Sequence, residues 1–364
     1  MSNFALRNNN GFTMLILGMM SGTSLDGIDL ALCDIDAQRH TIVAAATVPY
    51  SADWRQRLAT LESASALDYA LAHAALGHLF GRVARDFLTE RGLKADAIAS
   101  HGHTIFHQPA VGLTTQIGDG DAIAAESGLP VVSNFRTLDV ALGGQGAPLV
   151  PIGDALLFGS YDACLNLGGI ANISYTDHSA RVAYDICPCN MLLNRLAART
   201  GCDYDADGAL ARAGAVDETL LHRLDNFAYY RQEPPKSLGK EWFVDHCWPL
   251  VEASALPTGD LLATASRHIA GQIAQVLQRQ NIGTLLVTGG GAFNTFLIDT
   301  IRHLAPHTEV VVPDADTVNY KEALIFALLG YLRLTGQVNT LRSVTGARCD
   351  SVGGTLSGLI PTRG

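Results

Sequence analysis

Three glycine-rich turns, each closing an apolar strand, constrain this chain more than any other feature of its sequence. They are GMMSGTSLDGID (18–29), NLGGIANIS (166–174) and TGGGAFN (288–294). Residues this small cannot fill a core, and glycine lets the backbone reverse within a few positions. MLILGMM (14–20) and IDLALCDID (28–36) read as strands entering and leaving the first turn. ACLNLGG (163–169), IANISY (170–175) and ARVAYDI (180–186) repeat the device in the second half, in pattern and not in identity, so the pattern alone leaves duplication open.

Between the turns, strands are expected at 97–100, 129–135, 284–291 and 309–313. Helices are expected over 119–127 and 263–280, from about 294, and from Tyr320 to Arg333. Apolar residues at Leu67, Leu71, Ala75, Leu79, Val83 and Phe87 predict a surface helix that buries this row. The alternation describes an α/β chain with a mixed sheet in each half. With 364 residues the chain exceeds one core of ordinary size. The Gly- and Pro-rich stretch GGQGAPLVP (143–151) marks the boundary, giving a first domain of 1–145 joined by 335–364 and a second of 146–334.

Only 16% of residues are charged, against roughly 25% in an average soluble domain, so much of the chain is interior or faces a partner subunit. A formal charge of -10 and no Lys/Arg-rich stripe argue against a nucleic-acid partner. The polar start and the interrupted first apolar run lead us to expect no membrane segment or signal peptide and a cytoplasmic protein. Seven scattered cysteines do not form a disulfide framework, and Cys187 and Cys189 lack the second pair that a zinc or iron–sulfur site needs.

Several polar residues are candidates for chemistry. In the first turn Ser21, Gly22, Thr23, Ser24, Asp26, Gly27 and Asp29 could cradle phosphate, with an Asp holding Mg2+ or its water shell. In the second, Asn166, Gly168, Gly169, Asn172 and Ser174 offer a similar cradle, and in the third Gly289, Gly290, Gly291 and Asn294 precede a helix. Each turn could also be a ligand-free bend. Asp185, at a strand end, is either a general base or the cap of a helix beginning near Pro188. Glu322 is a ligand or a first-turn acid. His101, His103 and His107 follow a strand and read as loop histidines that touch substrate or bridge loops. Arg136 pairs with Asp139 or meets an anion; Lys236, Lys240 and Glu241 lie at a cleft rim or on open surface.

The motifs GMMSGTSLDGID, GHTIFHQP, QIGDG, FRTLDVALGGQGAPLVP, NLGGIANIS, PPKSLGKEW, TGGGAFN and YKEALIFALLG, in this order, closely resemble the anhydro-N-acetylmuramic acid kinase family. The resemblance runs from about Leu15 to Leu334. It implies duplicated ribonuclease-H-like (actin-like ATPase) domains with an interdomain active-site cleft. The implied reaction phosphorylates O6 of 1,6-anhydro-N-acetylmuramic acid with ATP and Mg2+ while water opens the anhydro ring, and the implied assembly is a homodimer. By position, Gly22 to Asp29 and Asn166 to Asn172 would meet ATP phosphates, with Asp26 nearest the metal, and Gly289 to Asn294 the adenosine. Asp185 matches the catalytic aspartate; His101, Arg136 and Glu322 look like sugar-site residues. Cys187 and Cys189 stand where many members have glycine, Asn194 where many have Asp, and His103 where glutamine is frequent.

Overall fold

The computed structural model describes residues 13–22, 25–36 and 39–358, so Thr23 and Ser24 lie outside the described residues. Its strands are β1 (Met14–Ser21), β2 (Gly27–Ile35), β3 (His40–Pro49), β4 (Ala97–Gln108), β5 (Leu113–Ile117), β6 (Val131–Ser133), β7 (Ala163–Leu167), β8 (Ile170–Asp177), β9 (Ala180–Pro188), β10 (Thr284–Thr288), β11 (Glu309–Val311) and β12 (Thr355–Ser357). Contacts divide the chain into two compact units, Met1–Leu157 with Tyr320–Gly364, and Phe158–Asn319. The first unit therefore extends past the expected boundary at 145, and the chain returns to it at 320, not at 335. The helix Val150–Leu157 and most of the helix Ala315–Leu334 pack with the first sheet.

The first sheet runs β12-β6-β4-β1-β2-β3, with β5 added to β4. β1, β2 and β3 form an antiparallel meander, while β4 and β6 lie parallel to β1 and to each other. The second sheet runs β11-β10-β7-β8-β9, again an antiparallel meander followed by parallel strands. Strand order and pairing sense thus match, β7-β8-β9-β10-β11 repeating β1-β2-β3-β4-β6. The buried cores follow: Leu17, Met19, Leu30, Phe80 and Ile98 in the first unit, and Leu165, Ile173, Leu192, Ile269 and Val287 in the second.

Two expectations are corrected. The helix Ala66–Glu90 buries Ala72, Leu76, Phe80, Ala84 and Phe87, whereas Leu67 and Leu71 from the expected row are exposed. Gly77 and Gly81 fix that face, because a Cβ on Gly77 would lie 2.6 Å from the Asp119 carbonyl. Small residues let this helix approach the helix Gly120–Ser127 closely, and large apolar side chains alone do not mark the contact. The histidines are not in a loop: β4 continues to Gln108, so His101, His103 and His107 are strand residues. β3 and β5 were not foreseen.

The helix Ala315–Leu334 lies against the sheet where side chains are missing. A Cβ on Gly18 would overlap the Ala323 carbonyl, and one on Gly330 would lie 2.6 Å from Ala99 Cβ. Lys321 Nζ, 2.7 Å from Asp154 Oδ1, ties the same helix to Val150–Leu157 in a buried ion pair. Gly18→Ala should therefore cost about 1–3 kcal/mol through overpacking, read as a lower denaturation midpoint. Unchanged stability would mean that the helix sits farther from β1.

β4 also stores a pH dependence. Burial holds His101 well below the usual histidine range and His103 down at about 4. An unfolded histidine binds its proton near pH 6.5, so stability is full above that value and is lost as pH falls toward the folded pKa. His103 alone should remove about 2 kcal/mol between pH 7 and pH 5. Denaturation curves at both pH values should show His103→Gln losing part of this slope; an unchanged slope would contradict the assignment.

Candidate active site

In the first unit the turn after β1 is held by side chains from the end of β1, the residue after β3 and the middle of β4. Ser21 Oγ lies 2.7 Å from Tyr50 Oη and 2.9 Å from His103 Nδ1, and all three residues are buried. The Tyr50 amide donates to the Asp26 carbonyl at 3.3 Å, which keeps the turn beside the end of β3. Asp26 is exposed, whereas Gly27 and Asp29 belong to β2. Thr47 on β3 donates its hydroxyl to Asp29 Oδ1 at 2.6 Å. Burial raises the Asp29 pKa; Thr47 opposes this and Asp26 adds to it. Among the described residues no group of three or more His, Cys, Asp or Glu side chains gathers for a metal. Magnesium bound to a nucleotide takes one or two carboxylates and fills the remaining positions with phosphate and water, so Asp26 and Asp29 fit that donor set.

A second cluster joins Arg136, His101 and Glu322. Arg136 donates to His101 Nε2 from Nε at 3.0 Å and from Nη2 at 2.9 Å, and from Nη1 to the Gly146 carbonyl at 2.7 Å. It does not pair with Asp139. That carboxylate accepts from the Gly146 amide and the Thr345 hydroxyl, each at 2.7 Å. Burial pulls the Arg136 pKa down to about 10, with Glu322 opposing. Glu322 is exposed to solvent but has protein on several sides; desolvation raises its pKa, Arg136 and Lys321 lower it, and Asp29 and Asp154 raise it. Glu322 therefore feels both Arg136 and Asp29 within the first unit.

In the second unit, register aligns the candidates. Thr288 pairs with Asn166 across β10 and β7, Asn166 with Asn172 across β7 and β8, and Asn172 with Asp185 across β8 and β9. Directly opposed residues project to the same side of a sheet, so Asn166, Asn172 and Asp185 form one polar row. Ala171 opposes Cys187, which leaves Ile186 as the extra residue of a bulge beside Asp185. Asp185 is half-buried; its Oδ2 accepts from the Leu238 amide at 2.8 Å, and its carbonyl accepts from Tyr229 Oη at 2.7 Å. Desolvation raises its pKa and the Leu238 N–H bond limits the rise. It caps no helix: the helix Asn190–Ala197 starts after Cys189 and has no side-chain cap.

The glycine turns of this unit meet. Gly289 has φ +81, and a Cβ there would run into Asn166 Oδ1, so both backbone and space demand glycine. A Cβ on Gly291 would lie 2.7 Å from Leu167 Cβ, and Asn190 Nδ2 donates to the Leu167 carbonyl at 2.9 Å. Gly168, Gly169, Gly289 and Gly290 thus surround the ends of β7 and β10. Asn294 instead caps the helix Thr295–Leu304, accepting from the Leu297 amide at 3.0 Å. Lys236 lies 4.8 Å over the Tyr229 ring, in the loop that supplies Leu238. Ser174 is buried in β8, bonded to Arg181. Tyr50, Tyr229 and Leu238 were not singled out from sequence, and Asp139 was singled out only as a partner for Arg136, since long-range bonds leave no local pattern.

The family model described as "Anhydro-N-acetylmuramic acid kinase" matches residues 14–358. A protein of that name from Vibrio vulnificus is 38% identical over 354 residues, covering 92% of this chain and 95% of its own length. One from Gloeobacter violaceus is 39% identical over 363 residues, with 92% and 96% covered. One from Paramagnetospirillum magneticum is 37% identical over 357 residues, with 94% and 99% covered. The chain belongs to the anhydro-N-acetylmuramic acid kinase family and is a kinase.

Proposed function

We propose that the chain phosphorylates O6 of 1,6-anhydro-N-acetylmuramic acid with ATP and opens the anhydro ring with water, giving N-acetylmuramic acid 6-phosphate and ADP in peptidoglycan recycling. The observation that carries the reading is Asp185: one carboxylate oxygen is fixed by the Leu238 amide, the other has no bond to the described residues, and the bulge at Ile186 holds the side chain in line with Asn172 and Asn166. A carboxylate held in this way can take a proton without losing its orientation.

Asp185 accepts the proton of the water that attacks C1. The C1–O6 bond breaks, and the released O6 attacks the γ-phosphorus as ADP leaves. Burial raises the pKa of Asp185, which makes the carboxylate a stronger base, and the Leu238 N–H bond opposes the rise. We assign Gly22, Thr23, Ser24, Asp26, Gly27 and Asp29 to contacts with ATP phosphates, and likewise Asn166, Gly168, Gly169 and Asn172. Gly289, Gly290 and Gly291 leave room for the nucleoside, with Asn294 fixing the helix behind them. Arg136 and Glu322 contact the sugar. Asp26, directly or through water, and Asp29 would hold Mg2+, which would supply charge neutralisation on the phosphates. Action as a cytoplasmic homodimer, on duplicated ribonuclease-H-like domains of the actin-like ATPase type, completes the reading. The duplicated-domain part of this reading is supported by the shared strand order of the two sheets; no described helix is long and apolar enough to cross a membrane.

Purified protein given ATP, Mg2+ and the anhydrosugar should yield a product heavier than the sugar by one water and one phosphoryl group. A product lacking the water, or clear preference for levoglucosan, would reject the reaction or the substrate. Asp185→Asn should slow single-turnover ring opening and phosphoryl transfer together by at least about 10^2, with sugar and ATP dissociation constants within a few fold and unfolding temperature preserved. Near-normal chemistry in that variant would remove Asp185 as the base.

Asp26→Ala should raise the KM for Mg-ATP while leaving sugar affinity close to wild type, because its carboxylate stands exposed at the β1–β2 turn. Wild-type ATP kinetics would place Asp26 outside the nucleotide site.

A further inference from the structure

His101 has both ring nitrogens occupied. Two N–H donors of Arg136 converge on Nε2, so that atom carries the lone pair; Nδ1 holds the proton and donates to the Gly102 carbonyl at 3.0 Å. The ring is 4% exposed and lies 4.7 Å from the Phe326 ring. No polar atom of His101 is left for a sugar hydroxyl. On the other side of Arg136, Gly146 accepts at its carbonyl and donates its amide N–H to Asp139, which also accepts from Thr345. These bonds use three of the five guanidinium N–H groups and leave one on Nη1 and one on Nη2 without a partner among the described residues.

We propose that His101 is a positioning residue: a neutral imidazole, locked as the Nδ1–H tautomer, that aims the two remaining N–H groups of Arg136 at the ligand. An imidazole lone pair suits this task better than a carboxylate would. It fixes the planar fork without cancelling the positive charge, which stays available for an anionic or electron-rich group of the ligand. Asp139 supports Arg136 in the same indirect way, through a backbone carbonyl and not through its own charge. The identity of the ligand as the anhydrosugar rests on the function proposed above; the tautomer and the aim of Arg136 do not.

The first test needs no substrate. Long-range 1H–15N correlation at neutral pH should show His101 with a protonated Nδ1 and an unprotonated Nε2; an Nε2–H tautomer would overturn the proposal. The second compares two variants. Glutamine can place Oε1 near the position of Nε2 and still accept from Arg136, whereas asparagine reaches the Gly102 carbonyl but not Arg136. His101→Asn should weaken sugar binding about tenfold or more with ATP affinity within about twofold, and His101→Gln should stay within about threefold of wild type. In an Arg136→Lys background the His101→Asn effect should vanish, because the lost interaction is already gone. Equal effects of Asn and Gln, or an asparagine effect that persists in full beside Arg136→Lys, would refute it. Wild-type protein that shows the Nδ1–H tautomer but does not bind the anhydrosugar would reject the functional reading and leave the positioning of Arg136 standing.

Discussion

The close approach of the helix Ala315–Leu334 to β1 and β4 is the constraint on which the first unit depends. It is possible only because Gly18 and Gly330 carry no side chains, and it is made only after the whole of the second unit, Phe158–Asn319, has intervened in the chain. One helix then does three things. It packs on the sheet through Ala323, Ala327 and Gly330, ties Lys321 to Asp154, and presents Glu322 toward Arg136. A buried ion pair adds little net stability, but breaking it leaves an unpaired charge, so Lys321 and Asp154 fix where the helix sits along its axis more than how tightly it binds. Since Phe326 also packs against the His101 ring, the seating of the helix and the aim of Arg136 are parts of one arrangement.

The two sheets share a strand order and put it to different chemical use. At corresponding places in the meanders, the first has Met20, Asp29 and Thr47 in register and the second has Asn166, Asn172 and Asp185. In the first row the carboxylate is on the middle strand, and the hydroxyl of the third strand already bonds it. In the second row the carboxylate moves to the edge strand, where a bulge sets its direction and the backbone of a distant loop takes one oxygen. The architecture supplies equivalent positions; whether a position binds charge or moves a proton follows from the residue placed there and its neighbours.

What the sequence reveals follows from where its signals arise. β1, β2, β7, β8, β9 and β10 are legible because apolar runs end abruptly in glycine turns, and Asp185 is legible because a carboxylate at such an end is unusual. The buried face of Ala66–Glu90 is not, since its closest contacts are made by Gly77 and Gly81, which add nothing to an apolar periodicity. β3 is an edge strand rich in alanine whose residues are nearly all partly exposed, so alternation is faint. The histidines of β4 look like loop residues because the strand bends at Gly102, with φ +75, and then continues as the partner of β5. The pairing of Arg136 with His101 and not Asp139 joins residues 35 apart and cannot be read from three-residue spacing.

The two cysteines beside Asp185 show how a glycine position can accept a side chain. Cys187 and Cys189 are fully buried in the apolar core of the second unit, and Cys189 has φ −124, outside the left-handed region that would require glycine. The position thus does not call for the left-handed backbone that favours glycine, and the core around Leu192, Phe243 and Cys247 accommodates the side chain's volume. Burial pushes the Cys189 thiol up to about 12 and the Cys187 thiol higher than its ordinary range, so both stay neutral. A thiolate two residues from Asp185 would raise the carboxylate further and erode its ionisation at neutral pH. Neutral thiols leave the Leu238 N–H bond and burial as the opposing influences on Asp185, and the base strength of the site is set by their balance.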